Sequence, residues 1–480
     1  MAPCDPVSHI TDSRFYASGY STPEAKRVFC DLYRYQRWLD VEAVLAEAQA
    51  LVGIIPSKAA EDIRSAADIR RMDLEFIKRQ LQVTNHSLMP LLSALSKVCP
   101  GPSRRFIHFG ATTQDIQDTA LVLEIRDIVE IIHRDLLLIL HRVADLSERY
   151  KELVIIGRTH TQDALPMTLG LKMAGWLDEL WRNEKRLREM KGRLLVSQLF
   201  GGVGTMDAFG HRGIQLLEIF SERLGLLPPF TSWHNSRDRL SEFLNTVSLI
   251  SGALARIAEE IRSLSRSGIG EMEEPFHMGK LGSSTMPHKR NPEICEQVVV
   301  LSKLVKANAL LGMEGLVNEH ERDYRSVRLE WVTIADSAQF VCAALSFMKH
   351  VLKNLIVHED KIFENVSSAA HLISTEALMF YLGEKIGKDK AHALIYHASM
   401  KAAESKGEFL DILFERSEIN DSFSKEELRR VLNPEKHTGL SAELSQNIVD
   451  LVRKDIASVL DVPERQCPLS DISGRCSVVS

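Results

Sequence analysis

The chain has 480 residues, of which 45% are apolar and 26% are charged, and its formal net charge is −6. A chain of this length is expected to form roughly two or three structural units, and its composition excludes wholesale disorder. The small negative charge gives no reason to expect nucleic acid or an anionic membrane as a partner.

Three features of the sequence predict a cytoplasmic protein. No uninterrupted 18-residue apolar stretch is present, and the first residues lack the charged-then-apolar pattern of a signal peptide. The seven cysteines are scattered without a Cys-x-x-Cys pair. This spacing favours free thiols in a reducing compartment over a disulfide framework or a zinc site.

The first 110 residues are predicted to form short helices with proline and glycine breaks. Between Gly110 and Gly157, 46 residues contain neither glycine nor proline. Apolar residues recur there with the period of a helix, which predicts a helix of about 30 residues that is roughly 45 Å long. The apolar positions are Ile116, Ala120, Leu123, Ile128, Ile131, Ile132, Leu136, Ile139, Val143 and Leu146.

Further helices are predicted along the next part of the chain. Pro166 is expected in the first turn of a helix that runs to about Leu199, since proline is favoured at that position. Another helix is predicted from Asp238 to about Ile269, and Pro292 is expected to begin a fourth. Helices of this length are buried against one another, within or between subunits.

The chain has a second long stretch without glycine or proline, 67 residues between Gly315 and Gly383. It predicts at least one more long helix, with a break near His358. We therefore predict an all-α fold in which a central bundle of long helices is flanked by smaller helical domains. The predicted divisions are 1–110, 111–363 and 364–480, with the tail after Val462 as a frayed extension.

The segment from 276 to 292, called the signature loop below, is predicted to be an extended loop that carries chemistry. It contains Gly282-Ser-Ser-Thr-Met-Pro-His-Lys-Arg-Asn-Pro292. A lysine and an asparagine just before a helix N-terminus favour binding of an anion such as a carboxylate. A serine beside them would either bind the anion or act as a base. The alternative is a loop with incidental hydroxyls.

The signature loop resembles the Gly-Ser-Ser-x-Met-Pro-x-Lys-x-Asn-Pro motif of the fumarase/aspartase superfamily. Two further regions resemble that family in the expected order, His108 to Asp115 and Gly157 to His160. The part from about 365 to 452 resembles the adenylosuccinate lyase C-terminal domain. The resemblance implies a central bundle, a homotetramer with active sites assembled from three subunits, and a small-molecule dicarboxylate substrate.

The resemblance also implies roles for six residues, of which four are catalytic and two, Lys289 and Asn291, bind substrate. Ser283 matches the catalytic base, and Lys289 and Asn291 match the residues that bind a carboxylate and stabilise the dianion formed on proton removal. His160 matches the general acid that protonates the leaving group, and Glu296 matches its carboxylate partner. His86 resembles a second active-site histidine, for which a purely structural role is the alternative.

The remaining matched positions are predicted to bind substrate. Thr112, Thr113 and Gln114 match residues that hold the substrate carboxylates, with helix capping as the alternative for the threonines. Arg237, Arg322 and Arg328 complete the predicted set. No metal and no cofactor are expected, because the sequence has neither a metal-ligand cluster nor a dinucleotide fingerprint in the required β-α-β context.

Two branches of the superfamily resemble this chain. The sequence from Asp12 to Pro56 and the sequence of the signature loop are similar to those of 3-carboxy-cis,cis-muconate cycloisomerases. Those enzymes lack the histidine and glutamate found here as His160 and Glu296. Retention of both groups favours elimination of an amine with release of fumarate, as in adenylosuccinate lyase and purine biosynthesis. Alternatives are a cycloisomerase-like enzyme, a lyase acting on another N-substituted succinate, or an inactive structural protein.

Overall fold

The structure of the protein is a computed structural model that describes residues 8–277, 279–280, 282–405 and 407–460. The tail after Val462 and the cysteines at 4, 467 and 476 lie outside this range, and no disulfide joins the four cysteines inside it. The described chain is predominantly helical, which confirms the all-α prediction. The helices are α1 Pro23–Val28, α2 Asp31–Leu51, α3 Ser57–Ala66, α4 Leu74–Thr84, α5 Met89–Val98, α6 Thr113–Arg149, α7 Leu169–Leu194, α8 Gly213–Leu224, α9 Asp238–Leu264, α10 Glu293–Glu314, α11 Tyr324–Lys353, α12 Glu359–Ile373, α13 Thr375–Ile386, α14 Lys388–Ser405, α15 Phe409–Phe414, α16 Ser417–Asn420, α17 Lys425–Val431 and α18 Ser441–Leu460.

Two short antiparallel strand pairs accompany the helices, of which only the first is a hairpin. β1 Val154–Thr159 pairs with β2 Gln162–Thr168, and β3 Met272–Glu273 pairs with β4 Ile356–Val357. The prediction of Pro166 as the start of a helix was therefore wrong, because Pro166 pairs with Ile156 inside β2 and the helix begins at Leu169.

The long helices α6, α7, α9, α10 and α11 pack side by side with alternating directions. Thr119 near the start of α6 donates to the carbonyl of Gln198, just beyond α7, at 2.9 Å, so α7 runs antiparallel to α6. Arg237 before α9 pairs with Asp118 of α6 at 2.8 Å, so α9 runs parallel to α6. Gly312 at the end of α10 lies against Leu244 near the start of α9, which makes α10 antiparallel to α9.

The bundle consequently has two distinct ends. The threonine end is where α6, α9 and α11 begin, and the hairpin end is where α6 gives way to the β1–β2 hairpin. α11 is fixed in this direction at both ends, because Glu330 bonds Arg237 at 2.7 Å and Arg142 of α6 donates to the carbonyl of Leu352 at 3.0 Å. The 37 residues of α6 separate the two ends by about 55 Å, at about 1.5 Å per residue.

The hydrophobic core of the bundle extends beyond the long helices. Side chains of α12 and α18, including Ile362 and Val452, belong to this core. A second, separate cluster holds α13 to α17 together around Leu378, Phe409 and Leu413. The predicted break near His358 is confirmed, since His358 stands between β4 and α12. The predicted boundary at 363/364 falls inside α12, and the division into three domains stays a prediction.

One helix in the described range, α11, is long and apolar enough to cross a membrane by length and composition. In this fold 67% of its apolar window is buried in the molecule. Burial against α6, α9 and α10 accounts for the apolar character of α11, as expected for a core helix.

Candidate active site

The signature loop leaves the bundle at the hairpin end and is closed on itself. Asn291 donates a side-chain hydrogen bond to the carbonyl of Gly282, so the two ends of the motif are tied together. A Cβ atom at Gly282 would overlap the carbonyl oxygen of Lys289, which explains why only glycine fits there. Asn291 thus holds the loop in shape, and Lys289 is exposed on its surface.

Within this loop, the hydroxyl oxygen of Ser283 receives two backbone hydrogen bonds. The N–H of Met286 donates to Oγ at 3.1 Å and the N–H of Thr285 donates at 3.3 Å. Donors aimed at an oxygen stabilise negative charge on it, so this turn favours the alkoxide form that a serine base requires. Ser284 is exposed beside it.

The base of the signature loop is anchored by a buried carboxylate that the sequence analysis did not identify. Glu274 accepts from the backbone N–H groups of Cys295 at 2.8 Å and Ile294 at 3.2 Å, in the first turn of α10. Its Oε1 also pairs with Lys280 at 2.9 Å. An acid capping a helix N-terminus is a local signal, but its distance of about 20 residues from α10 hides it in the sequence.

His160 occupies the tip of the β1–β2 hairpin. The turn residues His160 and Thr161 have φ angles of 51° and 66°, a left-handed conformation that is unfavourable for residues other than glycine and most unfavourable for a β-branched one. Strained residues persist where function requires them, so the backbone itself supports a functional role for this tip. His160 is exposed and extends beyond the bundle.

Arg158 ties the hairpin to the segment that leads into β3 and, beyond it, the signature loop. Its guanidinium donates to Glu271, immediately before β3, at 2.6 and 2.9 Å. Glu296 lies in the first turn of α10 and lines a groove with Arg262 and Lys303. Glu296 and His160 are both exposed, and no hydrogen bond or ion pair joins them within the described chain.

A second group of predicted residues lies at the threonine end. Nδ1 of His86 accepts from the backbone N–H of Met89 at 3.1 Å and of Leu88 at 3.3 Å, where α5 begins. An Nδ1 that accepts hydrogen bonds is unprotonated, so the neutral ring carries its proton on Nε2. The adjacent Ser87 bonds Tyr324 of α11 at 2.9 Å and Gln117 of α6 at 2.8 Å.

Thr112 and Arg322 are in direct contact at this end. Arg322 donates to Oγ1 of Thr112 and to the carbonyl of Gly202 at 3.3 Å. Thr112 is the N-cap residue of α6 and Thr113 is its first residue, so both the capping and the substrate-binding interpretation remain in force. Arg328 is exposed, with its guanidinium 5.4 Å from the ring centre of Tyr324.

Gln114 is oriented differently from its predicted role. It is buried, and its amide nitrogen donates to the carbonyl of His234 at 2.7 Å and to Asp118 at 3.0 Å. Both partners are acceptors only, which fixes the orientation of the amide. Gln114 therefore has no N–H group for a substrate carboxylate, and its carbonyl oxygen is unpaired among the described residues.

Arg237 also differs from its prediction. It is 2% exposed, and its N–H groups donate to Asp118, to Glu330 and to the carbonyl of His234. These contacts use all the guanidinium donors. Arg237 is buried and links α6, α9 and α11, while the neighbouring Arg239 donates to the carbonyl of Arg193 on the surface.

The structure identifies His108 as a further candidate. Its Nδ1 lies 2.7 Å from the buried carboxylate of Glu42 on α2, and its φ of 59° is left-handed. Burial opposes protonation of the imidazole, but the charge and hydrogen bond of Glu42 outweigh it and raise the pKa of His108 above its usual value. His108 lies four residues before Thr112 in the sequence. That position alone does not separate it from a structural histidine, and its pairing with Glu42 is visible only in the fold.

The predicted residues therefore form two groups at opposite ends of one chain. Thr112, Thr113, His86 and Arg322 lie at the threonine end, and Ser283, Lys289, His160 and Glu296 lie at the hairpin end. A separation of about 55 Å excludes joint action on one small substrate within a single chain. Among the described residues, no group of three or more His, Cys, Asp or Glu side chains is arranged to hold a metal ion.

Two family models match separate parts of the chain. The family model described as Lyase matches residues 18–306, and the model described as Adenylosuccinate lyase C-terminus matches residues 371–448. The chain is 39% identical over 436 residues to an N-acetyl-S-(2-succino)cysteine lyase from Enterococcus italicus, covering 91% of this chain and 96% of that one. It is 36% identical over 437 residues to an adenylosuccinate lyase from Methanocaldococcus jannaschii, covering 90% and 95%.

A solved structure gives the same result for the fold. The 3-carboxy-cis,cis-muconate lactonizing enzyme from Pseudomonas putida superimposes with a TM-score of 0.85 at 30% identity, covering 92% of this chain and 99% of that one. The match of the lyase family model to more than half of the chain, together with these relatives, shows that the chain belongs to the fumarase/aspartase superfamily of lyases.

Proposed function

We propose that this lyase releases fumarate from a succinate that carries a heteroatom-linked substituent. The observation that carries the proposal is the Ser283 turn, in which two backbone N–H groups donate to the hydroxyl oxygen of a serine that shares its loop with Lys289. Ser283 takes the proton from the carbon next to one carboxylate. Lys289 stabilises the dianion that develops, and the bond from the neighbouring carbon to the heteroatom then breaks.

The leaving group takes its proton from the acid at the hairpin tip. His160 is exposed and extended, which suits a group that must reach a substrate bound mainly by other elements. Glu296 would stabilise the imidazolium as its partner. The products are fumarate and a protonated leaving group, so no redox partner is needed.

The site is proposed to be shared between copies of the chain in a homotetramer. Catalytic residues at the two ends of a bundle about 55 Å long can meet only if they come from different subunits. α10 offers a surface for such packing, because Val300, Leu310, Leu311 and Met313 are exposed apolar side chains on one helix.

A thioether is the first candidate for the bond that is cleaved. Relatives named N-acetyl-S-(2-succino)cysteine lyase span nearly the whole chain. A thiolate is also a good leaving group, and it requires no phosphate subsite. Arg325 is an arginine of this region that could otherwise bind a phosphate. It is neutralised by Asp323, with Nε–Oδ1 at 2.9 Å, and lies 3.4 Å from Glu319.

An amine is the second candidate, as in adenylosuccinate lyase. It is favoured by the presence of both His160 and Glu296, since an amine leaves easily only when protonated. A cytoplasmic location and a role in purine biosynthesis would accompany this reading. Arg322 and Arg328 would then have to hold the nucleotide phosphate.

Absorbance of fumarate, measured with a panel of compounds, tests the proposal. The panel comprises N-acetyl-S-(2-succino)cysteine, adenylosuccinate, argininosuccinate, aspartate, malate and 3-carboxymuconate. We expect fumarate with an equal amount of free thiol from the thioether, at a higher kcat/KM than for any amine. Turnover of carboxymuconate alone would replace elimination with cycloisomerisation.

A further inference from the structure

A buried carboxylate links three segments of the threonine end. Asp115 is fully buried, and each of its oxygens accepts two hydrogen bonds. Oδ1 accepts from the N–H of Phe200 at 3.0 Å and from Nε2 of His234 at 2.9 Å. Oδ2 accepts from the N–H of Gly201 at 2.9 Å and of Thr112 at 3.0 Å.

His234 is equally buried, with 1% of its surface exposed, and is held on both sides. Its Nε2 faces a carboxylate and therefore carries a proton, and Nδ1 lies 2.8 Å from the hydroxyl of Ser232. Its carbonyl oxygen accepts from Gln114 at 2.7 Å. His234 thus connects the 232–234 segment to the start of α6.

The contacts of Arg322 give this arrangement a consequence for substrate binding. Arg322 bonds Thr112 on one segment and the carbonyl of Gly202 on another. Asp115 bonds the backbone of Thr112 and of Gly201, so it sets the distance between the two segments that Arg322 bridges. A carboxylate with four donors resists displacement, because any lost donor leaves buried charge uncompensated.

We propose that Asp115 and His234 form a positioning dyad that aims Arg322 and the Thr112–Thr113 turn at a carboxylate of the substrate. The inference rests on the proposed function. Both are positioning residues that do not touch substrate, because their side chains are buried. Their role is to fix the N-terminus of α6 and the Phe200–Gly202 backbone in one relative position.

Two substitutions of His234 test the dyad. His234→Gln places an amide N–H where Nε2 stood, and His234→Leu keeps much of the volume without a donor. We expect KM for the fumarate-releasing substrate to rise at least about 10-fold in His234→Leu with kcat within about 3-fold, and His234→Gln to restore most of the KM. Ser232→Ala is the matched control, since it removes the contacts of the Ser232 hydroxyl with Nδ1 and with the backbone N–H of His234 but leaves Nε2 bonded to Asp115. It should stay within about 3-fold of the native enzyme in both constants.

Hydrogen exchange provides a readout that does not depend on turnover. The amides of Phe200 and Gly201 should exchange faster in His234→Leu than in His234→Gln, with exchange in the middle of α9 unchanged. If His234→Leu does not fold, His234→Asn replaces it, because asparagine is polar but too short to reach Asp115. Unchanged exchange, or unchanged KM in the variant without a donor, would overturn the dyad. A native enzyme that releases no fumarate would overturn the proposed function instead, while the exchange still decides the inference.

Discussion

At the scale of single residues, the hydroxyl of Ser283 differs from its neighbours by the two N–H groups that point at it. These donors lie in the same turn, so the stabilisation of an alkoxide is built into the loop and does not depend on the substrate. Ser284 is exposed next to it, which makes the pair a natural comparison.

We predict that Ser283→Ala lowers kcat by at least about 100-fold, the scale of general-base loss, with KM within a few-fold. Steady-state fumarate release measures both constants. Ser284→Ala is the control and should retain near-normal kcat. If the losses are reversed between the two variants, Ser284 is the base.

The Glu42–His108 pair predicts a pH-dependent contribution to stability. The folded-state pKa of His108 is raised. Burial alone would lower this pKa, but the charge and the hydrogen bond of Glu42 outweigh that effect. Its contribution is therefore fully present below the unfolded pKa of about 6.5 and is lost as pH rises through the folded pKa. We expect the Tm difference between the native protein and Glu42→Gln to be largest near pH 6 and to shrink at high pH. A difference that grows with pH would contradict the pairing.

At the scale of elements, the β1–β2 hairpin and the first turn of α10 each present one member of the proposed acid pair. His160 and Glu296 are not in contact within the described chain, so they can act as a pair only if the hairpin of one copy meets α10 of another. An acid pair that spans two subunits would leave each residue exposed in the single chain, as is found.

We predict that His160→Asn and Glu296→Gln each lower kcat/KM by at least about 10-fold, and that the double variant is little worse than the more damaging single variant. Residues that act as a unit are non-additive because the first substitution already removes the shared function. The effect should be larger for an amine substrate than for a thioether. Fully additive losses would mean that the two residues act independently.

The elements differ in how well the sequence predicts them. The positions of α6, α9, α10 and α11 are predictable because their apolar residues recur with the period of a helix and are buried in the bundle. The end of α9 is at Leu264 and not near Ile269. The hairpin was missed because His160 and Thr161 are not turn formers, and Pro166 on a strand resembles a helix start. Local sequence patterns do not predict a backbone conformation that its own residues disfavour and that tertiary contacts impose.

The site shows the same limit for side chains. The signature loop was recognisable because its chemistry is contiguous in sequence. Gln114 and Arg237 were assigned to substrate, but their orientation is decided by Asp118 and Glu330, and the Arg237–Glu330 contact spans 93 residues. Glu274 and His108 were overlooked because their partners, too, are distant or lie on other helices.

At the scale of the whole molecule, the two ends of the bundle hold complementary halves of the proposed chemistry. The hairpin end has the proposed base and the proposed acid, while the threonine end has the residues proposed to hold carboxylates. Exposed apolar side chains on α10 fit burial against another copy. An oligomer built on these helices would bring the hairpin end of one subunit to the threonine end of another.

The most direct test of this arrangement is complementation between two inactive variants. Ser283→Ala removes the hairpin-end base, and Thr112→Val/Thr113→Val removes the threonine-end hydroxyls. Co-expressed, they should form mixed oligomers in which some sites combine an intact end from each chain. We expect fumarate release to recover to about a quarter of the native rate, as for random assembly of two-subunit sites. Mixed oligomers as inactive as the two parents would show that one chain supplies both halves, which contradicts the shared site.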